Sequence, residues 1–260
     1  MKLWKVMPCI LLCFFSPFSF AEVQEEYDDD FWNFDFDIDP VVTASGGVAF
    51  ASDVGSSEEF TVGFSQLNYQ ASDQSQVRGV WGLFLGGEFE LDDDWDMQLG
   101  ASYYQSSIYG PKGTLVQGFN ENSLAYYDYN YQITARQILA ETKVLGQWYD
   151  FLRPYVSVGI GVGINTAESF SVDYPEDLAM TPVYYGDHTI SSFTYNLGLG
   201  VDVELTEYLR FGVGYRFTDF GEVGLSHGEY DLAEPTASHE NLSQDHFYVQ
   251  EILFQVTLLR

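Results

Sequence analysis

The chain has 260 residues, with 10 Lys+Arg against 39 Asp+Glu and a net charge of -29. That balance excludes a nucleic-acid binder, whose phosphate contacts come from Lys and Arg. A hydrophobic content of 46% excludes intrinsic disorder, while 24 Gly beside 21 Phe and 19 Tyr suit strands and tight turns better than helices.

Residues 1–21 read as a cleaved secretory signal peptide. Lys2 and Lys5 open it, an apolar run covers residues 6–15, and Ser19-Phe20-Ala21 places small residues before the cut. The run is too short for a membrane-spanning helix. Lipid attachment at Cys13 is disfavoured by the bulky Leu12 before it. Cleavage removes both cysteines and leaves 8 Lys+Arg against 39 Asp+Glu. A secreted chain without cysteine has no disulfide framework. No apolar run of about 18 residues remains to form a transmembrane helix. Two destinations are left, a soluble periplasmic protein or an outer-membrane barrel.

Residues 22–39 hold nine acids in 18 positions, interleaved with Phe31, Trp32, Phe34, Phe36 and Ile38. They are expected to form a solvated acidic-aromatic periplasmic segment. An extra strand, a lumen plug and a binding peptide are the other readings.

From residue 40 onward the pattern changes to strict alternation. A weak version runs over residues 41–52. Then Trp81, Leu83, Leu85, Phe89 and Leu91 alternate with Gly82, Phe84, Gly86, Glu88 and Glu90. Met97, Leu99, Ala101 and Tyr103 alternate with Gln98, Gly100, Ser102 and Tyr104. Residues 138–148 repeat the pattern weakly. Val156, Val158, Ile160, Val162 and Ile164 follow, separated by Ser157, three glycines and Asn165. The clearest case covers residues 193–205, apolar at every odd position. Residues 209–218 repeat it, and 248–258 close the series more weakly. Successive strand side chains face opposite ways, so each segment has one apolar face and one polar or bare face.

Eight strands of roughly nine to thirteen residues match the ~10 that a tilted membrane strand needs. Short connections at 92–95, 150–153 and 206–208 alternate with long ones at 53–78, 109–130, 167–188 and 221–245. A soluble antiparallel sheet also alternates, but it turns its charged face outward. Here the second face is mostly Gly, Ser and Gln with a few charges, which suits a narrow polar lumen. The fold class predicted is therefore all-β: an eight-stranded antiparallel up-and-down transmembrane β-barrel over residues 40–260, with short periplasmic turns and four long extracellular loops.

Parity assigns Glu88, Glu90, Glu141, Lys143, Asp202, Glu204, Arg210, Arg216 and Glu251 to the lumen. Charges in so narrow a space must pair, so a network around Arg210, Arg216 and Lys143 is expected. Holding the barrel shut is favoured for it over gating a conduit. The glycines at 159, 161, 163, 198, 200, 212 and 214 leave room for long residues opposite.

Gly214-Tyr215-Arg216-Phe217-Thr218-Asp219-Phe220-Gly221 resembles the penultimate strand and its exit in the OmpA-like and opacity-type eight-stranded outer-membrane barrels. The Gly-x-Gly-x-Gly strand after Arg153-Pro154-Tyr155 is similar to their fifth strand. The resemblance covers about residues 40–260. It implies the outer membrane, with its lipid, its lipopolysaccharide and the barrel assembly machinery as partners. One departure stands out. Such barrels usually end in Phe, whereas this sequence ends Thr257-Leu258-Leu259-Arg260. No peptidoglycan-binding domain is expected after the barrel.

Three loop features complete the reading. The histidines at 188, 227, 239 and 246 and the fourth loop's acids match no EF-hand and no paired-histidine zinc motif, so neither a metal nor a cofactor is expected. Ser226-His227 beside Glu229 is the one Ser/His/acid cluster, but neighbours on a strand point apart and a triad needs them within reach. Tyr126, Tyr127, Tyr129 and Tyr131 suit either a recognition surface or an aromatic girdle. The leading functional expectation is a non-enzymatic surface barrel serving envelope integrity and contact with a host or surface ligand. A small low-conductance porin and a lipid A-modifying enzyme are the alternatives.

Overall fold

The computed structural model describes residues 38–52, 54–62, 65–72, 74–118, 124–149, 151–174, 183–230 and 237–260. The expected signal peptide and the acidic segment up to residue 37 lie outside the described residues. Ile38 and Asp39 already belong to the first strand.

Among the described residues the elements are all strands: β1 (Ile38–Ala51), β2 (Glu58–Val62), β3 (Ser65–Ala71), β4 (Gln76–Asp92), β5 (Trp95–Ser106), β6 (Lys112–Gly118), β7 (Ala125–Gly146), β8 (Leu152–Val172), β9 (Val183–Tyr185), β10 (His188–Thr206), β11 (Leu209–Asp219), β12 (Val223–Tyr230), β13 (Ala237–Gln244) and β14 (Tyr248–Leu259). Eight of them close a ring in the order β1-β4-β5-β7-β8-β10-β11-β14, every neighbour antiparallel. Closure comes where β1 meets β14, from Val41 opposite Leu259 to Ala51 opposite Val249. The eight are those the alternation marks.

Their outward faces form an apolar belt. Leu83, Leu85, Leu99, Ile138, Val158, Ile160, Leu197, Leu199, Val213, Phe254 and Val256 are all exposed. In water such a surface would drive aggregation; in hydrocarbon it is the stable choice, because a closed ring leaves no backbone edge unpaired. Aromatic side chains border the belt at both ends. Trp95, Trp148, Tyr149, Phe151 and Tyr208 stand exposed at the short-turn end, and Trp81, Phe193 and Tyr248 at the other. Amphipathic rings settle at the two interfaces of a bilayer.

The structure departs from the expectation at the long-connection end. Strands β7 and β8 run 22 and 21 residues, about twice what a crossing needs. Along β7 the polarity inverts on the way out. In the lower part Ile138 faces outward while Gln137, Glu141 and Lys143 are buried within. Higher up, Tyr127, Tyr129, Tyr131, Ile133 and Ala135 are buried and Asp128, Gln132 and Arg136 are exposed. The upper section obeys the water rule, apolar inside. The described parts of the four long connections are accordingly largely strands rather than open loops. Strands β2, β3 and β6 extend the main sheet beside β7, and β13-β12-β9 form a second, three-stranded sheet. Sequence alternation under-reads this region because its apolar set has switched parity.

A charge placed in mid-belt should meet hydrocarbon. We expect Leu199→Arg to lower unfolding free energy in phospholipid vesicles by ~2–4 kcal/mol, read from urea titrations. Arginine at exposed Gln132, above the belt, should leave the midpoint unchanged.

Candidate functional site

Inside the belt the lumen is a stack of charge pairs. At the short-turn end Arg153 of β8 bonds Asp96 of β5, and its Nε donates to Glu204 of β10 at 2.6 Å. One level up, Arg210 of β11 grips Glu88 of β4 with both terminal nitrogens, at 2.5 and 2.9 Å. Gln98 donates to the same carboxylate at 2.8 Å. Above it, Lys143 of β7 donates to Asp202 of β10 at 2.5 Å and to Gln255 of β14 at 3.3 Å. The uppermost level joins Arg216 of β11 to Glu251 of β14 at 2.5 Å, with Thr218 donating to that carboxylate at 3.2 Å. The Arg216 guanidinium lies 3.4 Å from the Tyr104 ring centre, and the Tyr104 hydroxyl donates to Glu141 at 3.2 Å.

These contacts act as spokes. Around the ring, β11 and β5 are four places apart, so the Arg216–Tyr104 contact spans the full lumen. Lys143–Gln255 does the same between β7 and β14. Bare wall positions make room for them. A side chain at Gly214 would overlap the Tyr155 hydroxyl, and one at Gly212 the Asp202 carboxylate. The Tyr155 ring in turn lies 3.9 Å from Lys143 Nζ. The space left among Thr43, Phe84, Gln98, Tyr104, Glu141, Lys143 and Gln255 is about 10 Å³, room for one water molecule at most.

Above the charges the lumen is closed by an aromatic cap. Tyr69 meets Tyr129 edge-on at 5.3 Å and Tyr185 at 5.7 Å, and Phe170 meets Tyr185 at 5.0 Å. Phe247 packs on Tyr109 and Phe220 at 5.1 and 6.0 Å. Leu67, Leu115, Leu225 and Leu242 fill the remainder, all fully buried. Asn165 ties the cap to the barrel by donating to the Phe220 and Glu222 carbonyls, each at 2.8 Å. Burial pushes the Tyr131 phenol up to about 12 and the Tyr129 phenol upward as well.

Eight of the nine lumen candidates therefore sit in this stack: Glu88, Glu141, Lys143, Asp202, Glu204, Arg210, Arg216 and Glu251. Glu90 does not. It is exposed beside the β4–β5 turn, opposite Asp96, where the register slips and the lumen opens to water. Sequence reasoning missed Arg153, Asp96 and the two ring platforms, Tyr104 and Tyr155. Parity carried back two and four residues from Ser157, and two from Gln98, would have found Tyr155, Arg153 and Asp96. The tyrosine expectation needs correcting too. Tyr127, Tyr129 and Tyr131 are buried in the cap, and only Tyr126 is exposed, at 66%. The fourth connection is likewise built around Val223, Leu225, Leu242 and Phe247 rather than being wholly solvated.

The Ser226 hydroxyl accepts from Gly186 N at 2.9 Å and donates to the His227 carbonyl at 3.4 Å, so it is bound to backbone and not to an imidazole. His246 Nδ1 lies 2.9 Å from Asp219. Among the described residues no three His, Cys, Asp or Glu side chains form a metal-ligating group.

The family described as an outer membrane protein beta-barrel domain matches residues 40–249. No curated protein matches the chain in sequence. Among solved structures, the outer membrane protein OprG from Pseudomonas aeruginosa aligns at 13% identity and a TM-score of 0.47, over 84% of this chain and 95% of that one. The outer membrane protease OmpT from Escherichia coli aligns at 9% identity and 0.49, over 86% and 98%. Ail, the attachment invasion locus protein of Yersinia pestis, solved with the heparin analogue sucrose octasulfate, aligns at 12% and 0.36, over 85% and 99%.

Removing one member of a buried ion pair leaves an unpaired charge. We expect Arg216→Met to cost ~3–5 kcal/mol, and the double change with Glu251→Leu to recover most of that loss, both by denaturant titration of the refolded barrel. The cap tyrosines set an alkaline limit. Free tyrosine ionises near pH 10, so the cap's stability is whole below about pH 10 and is lost as pH rises through about 12. Tyrosinate absorbance should show a late phase coincident with cap opening, smaller by one tyrosine and shifted in midpoint after Tyr131→Phe.

Proposed function

This chain belongs to the outer membrane protein beta-barrel domain family, and from that premise we propose that it is a non-enzymatic surface barrel. It reinforces the envelope and displays a rigid, acidic, folded cap for contact outside the cell. Its place is the cell outer membrane. The observation carrying the reading is the double closure of the lumen, by the Lys143–Asp202 and Arg210–Glu88 pairs and the Arg216–Tyr104 contact below and an aromatic core above.

Such a plug speaks against a porin, since conduction needs a continuous water path and the lumen centre leaves about 10 Å³. Catalysis finds equally little support. A serine hydroxyl needs a base in reach to act as nucleophile, and Ser226 is held by main-chain groups. Lipid and lipopolysaccharide face the belt, and assembly falls to the barrel-insertion machinery. The strands that would serve diffusion in a porin here support a display platform. Polar side chains such as Asp128, Gln132 and Asp187 stand exposed around its rim.

In a planar bilayer the purified protein should give no discrete conductance steps, and regular steps would overturn the closed reading. Cells producing the full chain should attach to a host-cell or matrix layer more than cells producing a form with residues 58–71 replaced by a short turn. Equal attachment of the two would remove the contact role.

A further inference from the structure

The cap carries a cleft of about 330 Å³, lined by residues 72 and 74, parts of β6 and β7 around Lys112, Asp128 and Asn130, and Asp173. Its volume falls at the lower end of the range of small-molecule pockets. Four separate stretches of chain build it, and main-chain bonds lock them together. Ser72 N donates to the Lys112 carbonyl and Asp173 N to the Asp128 carbonyl, each at 2.9 Å. Strands β6 and β7 pair directly beneath, with Thr114 opposite Asp128 and Lys112 opposite Asn130. Gly113 is required in the floor, because any side chain there would overlap the Tyr129 ring. The cleft is thus pre-formed, and it lies in the cap rather than in the lumen.

Its chemistry is selective. The residues lining it bring two carboxylates, two amides, two aliphatic hydroxyls and one ammonium beside the Tyr129 ring, with no aliphatic residue among them. An apolar ligand would meet a mostly polar lining. A phosphate or sulfate would meet Asp128 and Asp173 against the single Lys112, on a chain of net charge -29, and like charges repel. A polyol fits. Carboxylates accept from adjacent hydroxyls in charge-assisted bonds, the amides both donate and accept, and Lys112 donates to ring or glycosidic oxygens.

We propose that this cleft binds a non-anionic saccharide unit, neutral or amine-bearing, presented on a surface outside the cell. The inference rests on the contact role above and names its ligand class. The ammonium of an amino sugar would add a favourable charge contact with the two aspartates, placing such sugars ahead of neutral ones.

The test uses the refolded full barrel titrated with lactose, N,N′-diacetylchitobiose, the glucosamine disaccharide from chitosan, and a sulfated chondroitin disaccharide. Millimolar or tighter binding is expected for at least one of the first three, tightest for the glucosamine disaccharide, and none for the sulfated one. Asp128→Asn and Asp173→Asn should each weaken that binding about tenfold. The exposed change Gln132→Ala, outside the cleft, should not, and all three variants should keep the shifted gel mobility of the unboiled barrel. Failure of the first three sugars to bind, preference for the sulfated one, or binding indifferent to both aspartates would overturn the proposal. Cell attachment that depends on residues 58–71 while every saccharide fails would sink this inference and leave the contact role standing.

Discussion

A backbone crossing hydrocarbon must bond every amide within itself, and a sheet can do so only by closing into a ring. That constraint organises the molecule. The seam where β1 meets β14, eleven facing pairs long, removes the last free edge. Once the ring closes, each strand residue has only two environments, lipid or lumen, and side-chain identity follows from parity. With eight strands the lumen is narrow enough for side chains from facing walls to touch. Arg216 reaches Tyr104, and Arg210 reaches Glu88, for that reason.

The charge distribution looks paradoxical until it is read through this constraint. A chain with so large an acidic excess places Lys143, Arg153, Arg210 and Arg216, half of the eight cations beyond residue 21, inside the barrel. A carboxylate in water needs no partner; one enclosed by a low-dielectric wall does. The cations sit where enclosure is most complete, and the outer acids are left to solvent. The same logic places hydroxyl and amide side chains such as Thr194, Asn196 and Gln137 at the upper lumen, between the charge stack and the aromatic cap.

How much of this was legible in the sequence depends on where the rule of alternation holds in one sense. Along β10 and β11, buried by lipid outside and filled by polar groups inside, apolar residues at Phe193, Tyr195, Leu197 and onward spell out the strand directly. The lumen residues follow by parity, with Glu90 misplaced because the strand end opens to water and Arg153 overlooked because the count began at Val156. Above the bilayer the rule inverts. Tyr127, Tyr129 and Tyr131 occupy positions that point to the interior, yet a run of tyrosines among aspartates looks like an exposed loop when lipid-facing parity is assumed. Short strands such as β9, three residues long, are set by partners far along the chain and leave almost no local trace.

The cap draws its strands from all four long connections, and none of those pieces buries its apolar face alone. It can form only after every one of them has passed through to the far side of the membrane. During passage the tyrosines and leucines that later pack together travel separately, each short segment unable to collapse prematurely. Once reunited, they share one buried core drawn from all four connections, which cannot be taken apart strand by strand without exposing it. The same packing that shuts the barrel therefore serves as a one-way latch on insertion, making retreat of the finished protein through the bilayer far harder than its arrival.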